Sequence, residues 1–198
     1  KDANPIVANN LLEMLEIQEL QEKVIISRFS TIGNSIAEIN KINQKISHHI
    51  IGGIDETRLA GTINRIPLVH VGKGLSEISR VDLEKAKKIL AQADKDILSH
   101  KIKTSDYKTI SKSLSELFRI DKDTAQTLFR EINSLSLAND IQELPLEAVG
   151  RCIAEFNYID ETKAKEILEI TDFKNLSMMN DIYNLIRGNL LEIGAEIT

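Results

Sequence analysis

Four stretches decide the fold: 33–43 reads GNSIAEINKIN, 72–82 reads GKGLSEISRVD, 111–121 reads SKSLSELFRID and 150–160 reads GRCIAEFNYID, each starting 39 residues after the last. A fixed period of this length marks stacked helical units, none of which can bury its apolar face alone. Extended both ways, the period divides the chain into five copies, 3–41, 42–80, 81–119, 120–158 and 159–197.

Superposing the copies locates their helices. The second position of each is Asn4, Asn43, Asp82, Asp121 and Asp160, residues whose side-chain oxygens accept the orphan amide hydrogens of a first helical turn. Pro5 follows the first of them, where its missing N–H costs nothing. The sixth position is small (Ala8, Ser47, Ala86, Ala125, Ala164). The ninth and tenth are large and apolar, as in Leu11-Leu12 and Ile50-Ile51. Spacings of three and four after a cap define a buried helical face, helix A. Leucine then recurs at Leu20, Leu59, Leu98, Leu137 and Leu176, followed four residues on by Val24, Ile63, Ile102, Ile141 and the divergent Asn180. This pair predicts a short middle helix or an ordered turn. Helix B follows, with Pro67 and Pro145 at its expected first position. Its apolar face is carried by Phe29, Ile32 and Ile36 and by their equivalents in later copies.

The expected fold is therefore all-α: an α-solenoid of about five stacked 39-residue repeats, each with two longer helices plus a short middle helix or turn, in one domain over 1–198. Two copies depart from the pattern. Gly52-Gly53 is expected to break helix A of the second copy, whose helix B carries the poor helix formers PLVHVGKG. The fifth loses its helix B phase after Gly188, as terminal repeats often do.

Composition agrees. At 42% hydrophobic and 28% charged the chain is too apolar for disorder, and with 4% aromatics and no Trp its core must be aliphatic. One cysteine rules out an internal disulfide framework and fits a reducing compartment, so an intracellular setting is expected, cytoplasmic or, for a protein of an intracellular microbe, a host cytosol. No apolar run approaches the roughly 20 residues of a membrane span. The chain opens on Lys1 at the edge of a repeat, as an excised part of a longer array would.

No residue set carries catalytic chemistry, and no enzyme, cofactor or metal is expected. Cys152 stands where other copies have Ser35, Gly74 and Ser113, so that position wants a small packed side chain; a reactive thiol would need an exposed electropositive setting. Adjacent His48 and His49 project about 100° apart on a helix and cannot comfortably share a metal. Glu38, Glu77, Glu116 and Glu155 recur with the period; four equivalent carboxylates, with Lys73, Lys112 or Arg151 four residues earlier, read as ion pairs within helices.

The seventh and eighth positions differ from this constant frame. They read Asn9-Asn10, His48-His49, Lys87-Lys88, Gln126-Thr127 and Lys165-Glu166, always polar and changing from copy to copy on the helix A face away from the core. Charge is uneven too: the copies carry net −2, +2, +3, −4 and −4 within an overall −5. A basic middle flanked by acidic ends places the expected partner-binding residues at His48, His49, His70, Lys85, Lys87 and Lys88, with Gln126 and Thr127 continuing the variable pair.

The capped, aliphatic phrasing of IDETKAKEIL (159–168) and LPLEAVGRCIAEF (144–156) resembles the broad class of α-helical repeat proteins. In period the chain lies between the pentatricopeptide type and the HEAT or armadillo type. It is also similar to the short-helix superhelices of the flagellar switch and of magnesium-transporter cytoplasmic domains. The resemblance implies binding rather than catalysis. The expected function is a protein-interaction scaffold holding a protein or peptide partner, with an acidic segment as the candidate for its basic middle. A single-stranded RNA reader using the variable pairs is the alternative, opposed by an overall pI near 5.5. A structural spacer is the other.

Overall fold

The computed structural model describes residues 4–26, 29–142, 144–171 and 176–195. Among them the chain is all-helical. The first copy contributes α1 (Pro5–Glu13), α2 (Ile17–Ile26) and α3 (Phe29–Ile42); the second α4 (Gln44–Gly52), α5 (Glu56–Ile63) and α6 (Leu68–Ser79). The third gives α7 (Leu83–Ala91), α8 (Lys95–Lys103) and α9 (Tyr107–Ile120), the fourth α10 (Lys122–Arg130), α11 (Ser134–Gln142) and α12 (Leu146–Ile159), and the fifth α13 (Glu161–Ile170) and α14 (Leu176–Ala195). The expected middle element is thus a helix of its own. α1, α4, α7, α10 and α13 begin 39 residues apart, and the middle helices from α2 to α11 and the helices from α3 to α12 keep the same interval.

Local chemistry sets these boundaries. The side chains of Asn4, Asn43, Asp82, Asp121 and Asp160 accept from Ile6, Ile46, Lys85, Thr124 and Lys163 N–H at 2.8–3.2 Å, so each satisfies one orphan donor. The middle helices carry a second cap series that the sequence reading missed: Asp55 on Thr57 N–H at 2.8 Å, Asp94 on Asp96 at 3.0 Å and Asn133 on Ser136 at 3.0 Å. These caps also recur every 39 residues.

Contacts divide the chain into two units, Lys1–Leu98 and Ser99–Thr198. In the first, α3 packs along α6, α4 rests on α2 and α3, and α7 on α5 and α6. Phe29, Ile32, Ile36, Val71 and Leu75 are all buried there. In the second, α12 touches both α9 and α14, α10 rests on α9, and α13 on α11 and α12. Phe129 stacks on Phe156 with ring centroids 4.9 Å apart. Burying each such aliphatic or aromatic side chain contributes about 1.5–3 kcal/mol.

Several local expectations change. Pro67 and Pro145 are N-cap residues rather than the first helical residues of α6 and α12. Gly52-Gly53 does not break α4, which ends where its counterparts α7 and α10 end. α6 is an unbroken helix, and glycines on both helices let α3 approach it closely: a Cβ on Gly33 of α3 would lie 2.8 Å from Gly74 O, and one on Gly74 of α6 2.3 Å from Phe29 Cδ1. The fifth copy departs most, because α14 runs continuously for 20 residues through the positions of both a middle helix and a helix B. The side chains of Val24, Leu176 and Asn180 lie outside the described residues.

Leu11, expected in the core, is 58% exposed in α1, whereas its equivalents Ile50 and Ile89 are fully buried. The cause is positional. α4 and α7 pack this face against the middle helices α2 and α5, and no such helix covers α1 among the described residues. No helix of these residues is long and apolar enough to cross a membrane.

Candidate functional site

In the first unit the variable helix A pairs are exposed at Asn10, His48, His49 and Lys88 and half-buried at Asn9 and Lys87. His48 and His49 are exposed on α4, with His48 Nδ1 2.8 Å from Gln44 O and the His49 carbonyl accepting from Gln21 Nε2 at 2.9 Å. Lys88 is exposed on α7, and half-buried Lys87 pairs with Glu84 at 2.8 Å. His70 is exposed on α6. The structure therefore gathers the expected lysines on one helix and spreads the histidines over two others.

Lys85 differs from its neighbours. It is only 6% exposed, and its ammonium lies 3.0 Å from Glu56 Oε1 while donating to Gly52 O at 3.2 Å. The Lys85 hydrogen bond is the main reason that the Glu56 carboxyl titrates below its ordinary range, with a smaller contribution from the charge of Lys88. Lys85 thus closes the C-terminus of α4 instead of facing outward, because the last carbonyls of a helix attract a cation.

In the second unit Thr127 is exposed on α10, whereas Gln126 is half-buried and donates to Ile159 O at 2.9 Å. Lys163 repeats the role of Lys85: it is 8% exposed and donates to Arg130 O and Ile132 O at the end of α10, at 3.1 and 2.6 Å. Its Nζ also sits 5.5 Å from the centroid of the Phe129 ring. Burial pulls the Lys163 pKa below its ordinary value against the charges of Glu166 and Asp160. The fifth repeat position holds Val7, Ile46, Lys85, Thr124 and Lys163, an irregular series that hides this shared task from sequence reading.

Cys152 is buried, with Sγ 3.4 Å from Ser111 Oγ. Burial pushes its thiol up to about 11, which leaves almost no thiolate at neutral pH. Three of the recurring glutamates make ion pairs along their own helices, Glu38 with Lys41 at 2.6 Å, Glu77 with Arg80 at 3.0 Å and Glu155 with Arg151 at 3.6 Å. Glu77 pairs with a cation three residues on, where the reading expected Lys73 four residues before, and Glu38, for which no preceding cation was expected, pairs in the same way. Among the described residues no three His, Cys, Asp or Glu side chains come together as a metal site would require.

Two grooves lie between successive long helices. One, of about 260 Å³ between α3 and α6, contains the Glu38–Lys41 and Glu77–Arg80 pairs. The other, of about 300 Å³ between α9 and α12, is lined by Lys108, Ser111, Lys112, Arg151, Cys152 and Glu155, with Ala148 completing it. Compared with protein-family models, with curated proteins and with solved structures, the chain matches none.

Proposed function

We propose that this chain is a protein-interaction scaffold: its five copies stack as an α-solenoid whose helix A faces present a polar surface to a partner. One observation carries the reading, the combination of helix starts that keep a 39-residue interval with exposed, varying side chains at His48, His49, Lys88 and Thr127. A constant aliphatic frame with changing polar positions is how repeat arrays separate stability from recognition. The exposed cations of α7 favour an acidic protein or peptide segment, through complementarity that steers encounter more than it adds affinity. Lys85 takes no part in that surface, because its charge is engaged inside the chain.

The test is Lys87→Glu with Lys88→Glu, compared with the parent chain in affinity capture from an extract of the source cells, with and without nuclease. Lys88 is exposed, and half-buried Lys87 turns its ammonium to the exposed Glu84 of the same helix, so folding is expected to survive. A protein retained through nuclease treatment and lost with the double variant supports the scaffold. Recovery of RNA, or of partners that nuclease removes, replaces the scaffold with an RNA reader.

A further inference from the structure

We propose that the groove between α9 and α12 is a binding site for a phosphomonoester group. It does not rest on the scaffold reading, since none of its residues belongs to the helix A pairs. Residues 99–198 carry 12 Lys and Arg against 17 Asp and Glu, so they hold the whole of the −5 net charge. Yet three of those cations, Lys108, Lys112 and Arg151, line this one groove together with a single carboxylate, Glu155.

Lys112 and Arg151 hold the same position of successive copies; both line the groove where α9 packs against α12. The α3–α6 groove is neutral, with two cations matched by two glutamates and both pairs closed. That groove lies nearer the C-terminal ends of its helices; at the positions equivalent to the charged lining of the α9–α12 groove the chain has Ser30, Asn34, Lys73 and Glu77, one cation against one carboxylate, so the repeat frame does not require the excess.

The chemistry of the lining selects the ligand. Arg151 is tied to Glu155 at 3.6 Å, so the groove has an excess of two positive charges, which a phosphomonoester dianion neutralises and a carboxylate does not. Asp106, just before α9, is turned into its cap, with Oδ1 on Thr109 N–H at 3.0 Å and Oδ2 on the Thr109 hydroxyl at 2.7 Å. Lys108, Ser111 and Lys112 come from the first two turns of α9, and Ala148, Arg151 and Cys152 from the first two of α12. Ser111 is 1% exposed at the groove wall, and its hydroxyl has only long partners, Lys108 O at 3.3 Å and Cys152 Sγ at 3.4 Å. It is placed to donate to an anionic oxygen. A volume of about 300 Å³ lies at the lower bound of small-molecule sites, enough for a phosphorylated side chain or a small phosphorylated metabolite.

The test is a titration of the folded chain with inorganic phosphate, followed by amide chemical shifts at constant ionic strength maintained with chloride. Saturable shifts confined to the first turns of α9 and α12 are expected. Lys112→Met and Arg151→Met should each weaken binding roughly ten-fold. Lys165→Met removes the same charge from an exposed position on α13 and should leave it unchanged. A short neutral peptide containing phosphoserine and a sugar phosphate then tell a modified protein from a metabolite, and binding of either supports the site. Shifts that grow linearly with phosphate, or that Lys112→Met and Arg151→Met leave as they were, overturn it. Lys112 and Arg151 are exposed, so unfolding of these variants is not expected, and their helical circular dichroism checks it.

Discussion

The Lys163 ammonium donates to the backbone carbonyl of Ile132 at 2.6 Å, joining the first turn of α13 to the end of α10 in the preceding copy. Its second acceptor is Arg130 O at 3.1 Å. Replacing Lys163 by Met keeps the stem that packs near Phe129 and removes the donor, leaving two carbonyls at a helix end without their partner. A loss of about 1.5–3 kcal/mol is expected, the range for a hydrogen bond to a charged group, read as a shift in the urea midpoint. Lys165→Met, at an exposed pair with Glu161, should leave the midpoint in place. Equal shifts for both variants would mean that Lys163 contributes only surface charge.

The same cross-link in the first unit has a pH signature. Lys85 holds the Glu56 carboxyl below its ordinary value of 4.5 in the folded chain. A carboxyl whose folded pKa is depressed contributes stability that is complete above the unfolded pKa and disappears as pH falls through the folded one. Stability should therefore decline below about pH 4.5 more steeply in the parent than in Glu56→Gln. Urea midpoints for both proteins between neutral pH and pH 3 decide the matter; parallel curves would show that the pair is not coupled to folding.

The glycines separate packing from propensity. Gly74 lies against Phe29, with no room for a Cβ, whereas a Cβ on Gly61 of α5 would meet nothing within 4 Å. Gly74→Ala is expected to cost about 1–3 kcal/mol by overpacking. Gly61→Ala should gain up to about 1 kcal/mol, the helix-propensity difference. Thermal or chemical denaturation of the two variants should move in opposite directions, and a stabilised Gly74→Ala would show that α3 and α6 can separate without loss.

Sequence reading located what depends on local periodicity and missed what depends on which helices become neighbours. The Asn and Asp caps from Asn4 to Asp160 and the buried aliphatic residues from Ile32 to Ile153 follow from spacing and side-chain chemistry alone, so they could be placed in advance. Gly52-Gly53 looked like a break because propensity was weighed without noticing that every helix A ends near that position. Lys85 looked like surface charge because nothing local says that the carbonyl of Gly52, 33 residues earlier, comes within reach of its ammonium. Lys112 and Arg151 were read as helical ion-pair partners, and only the packing of α9 on α12 turns them toward one groove.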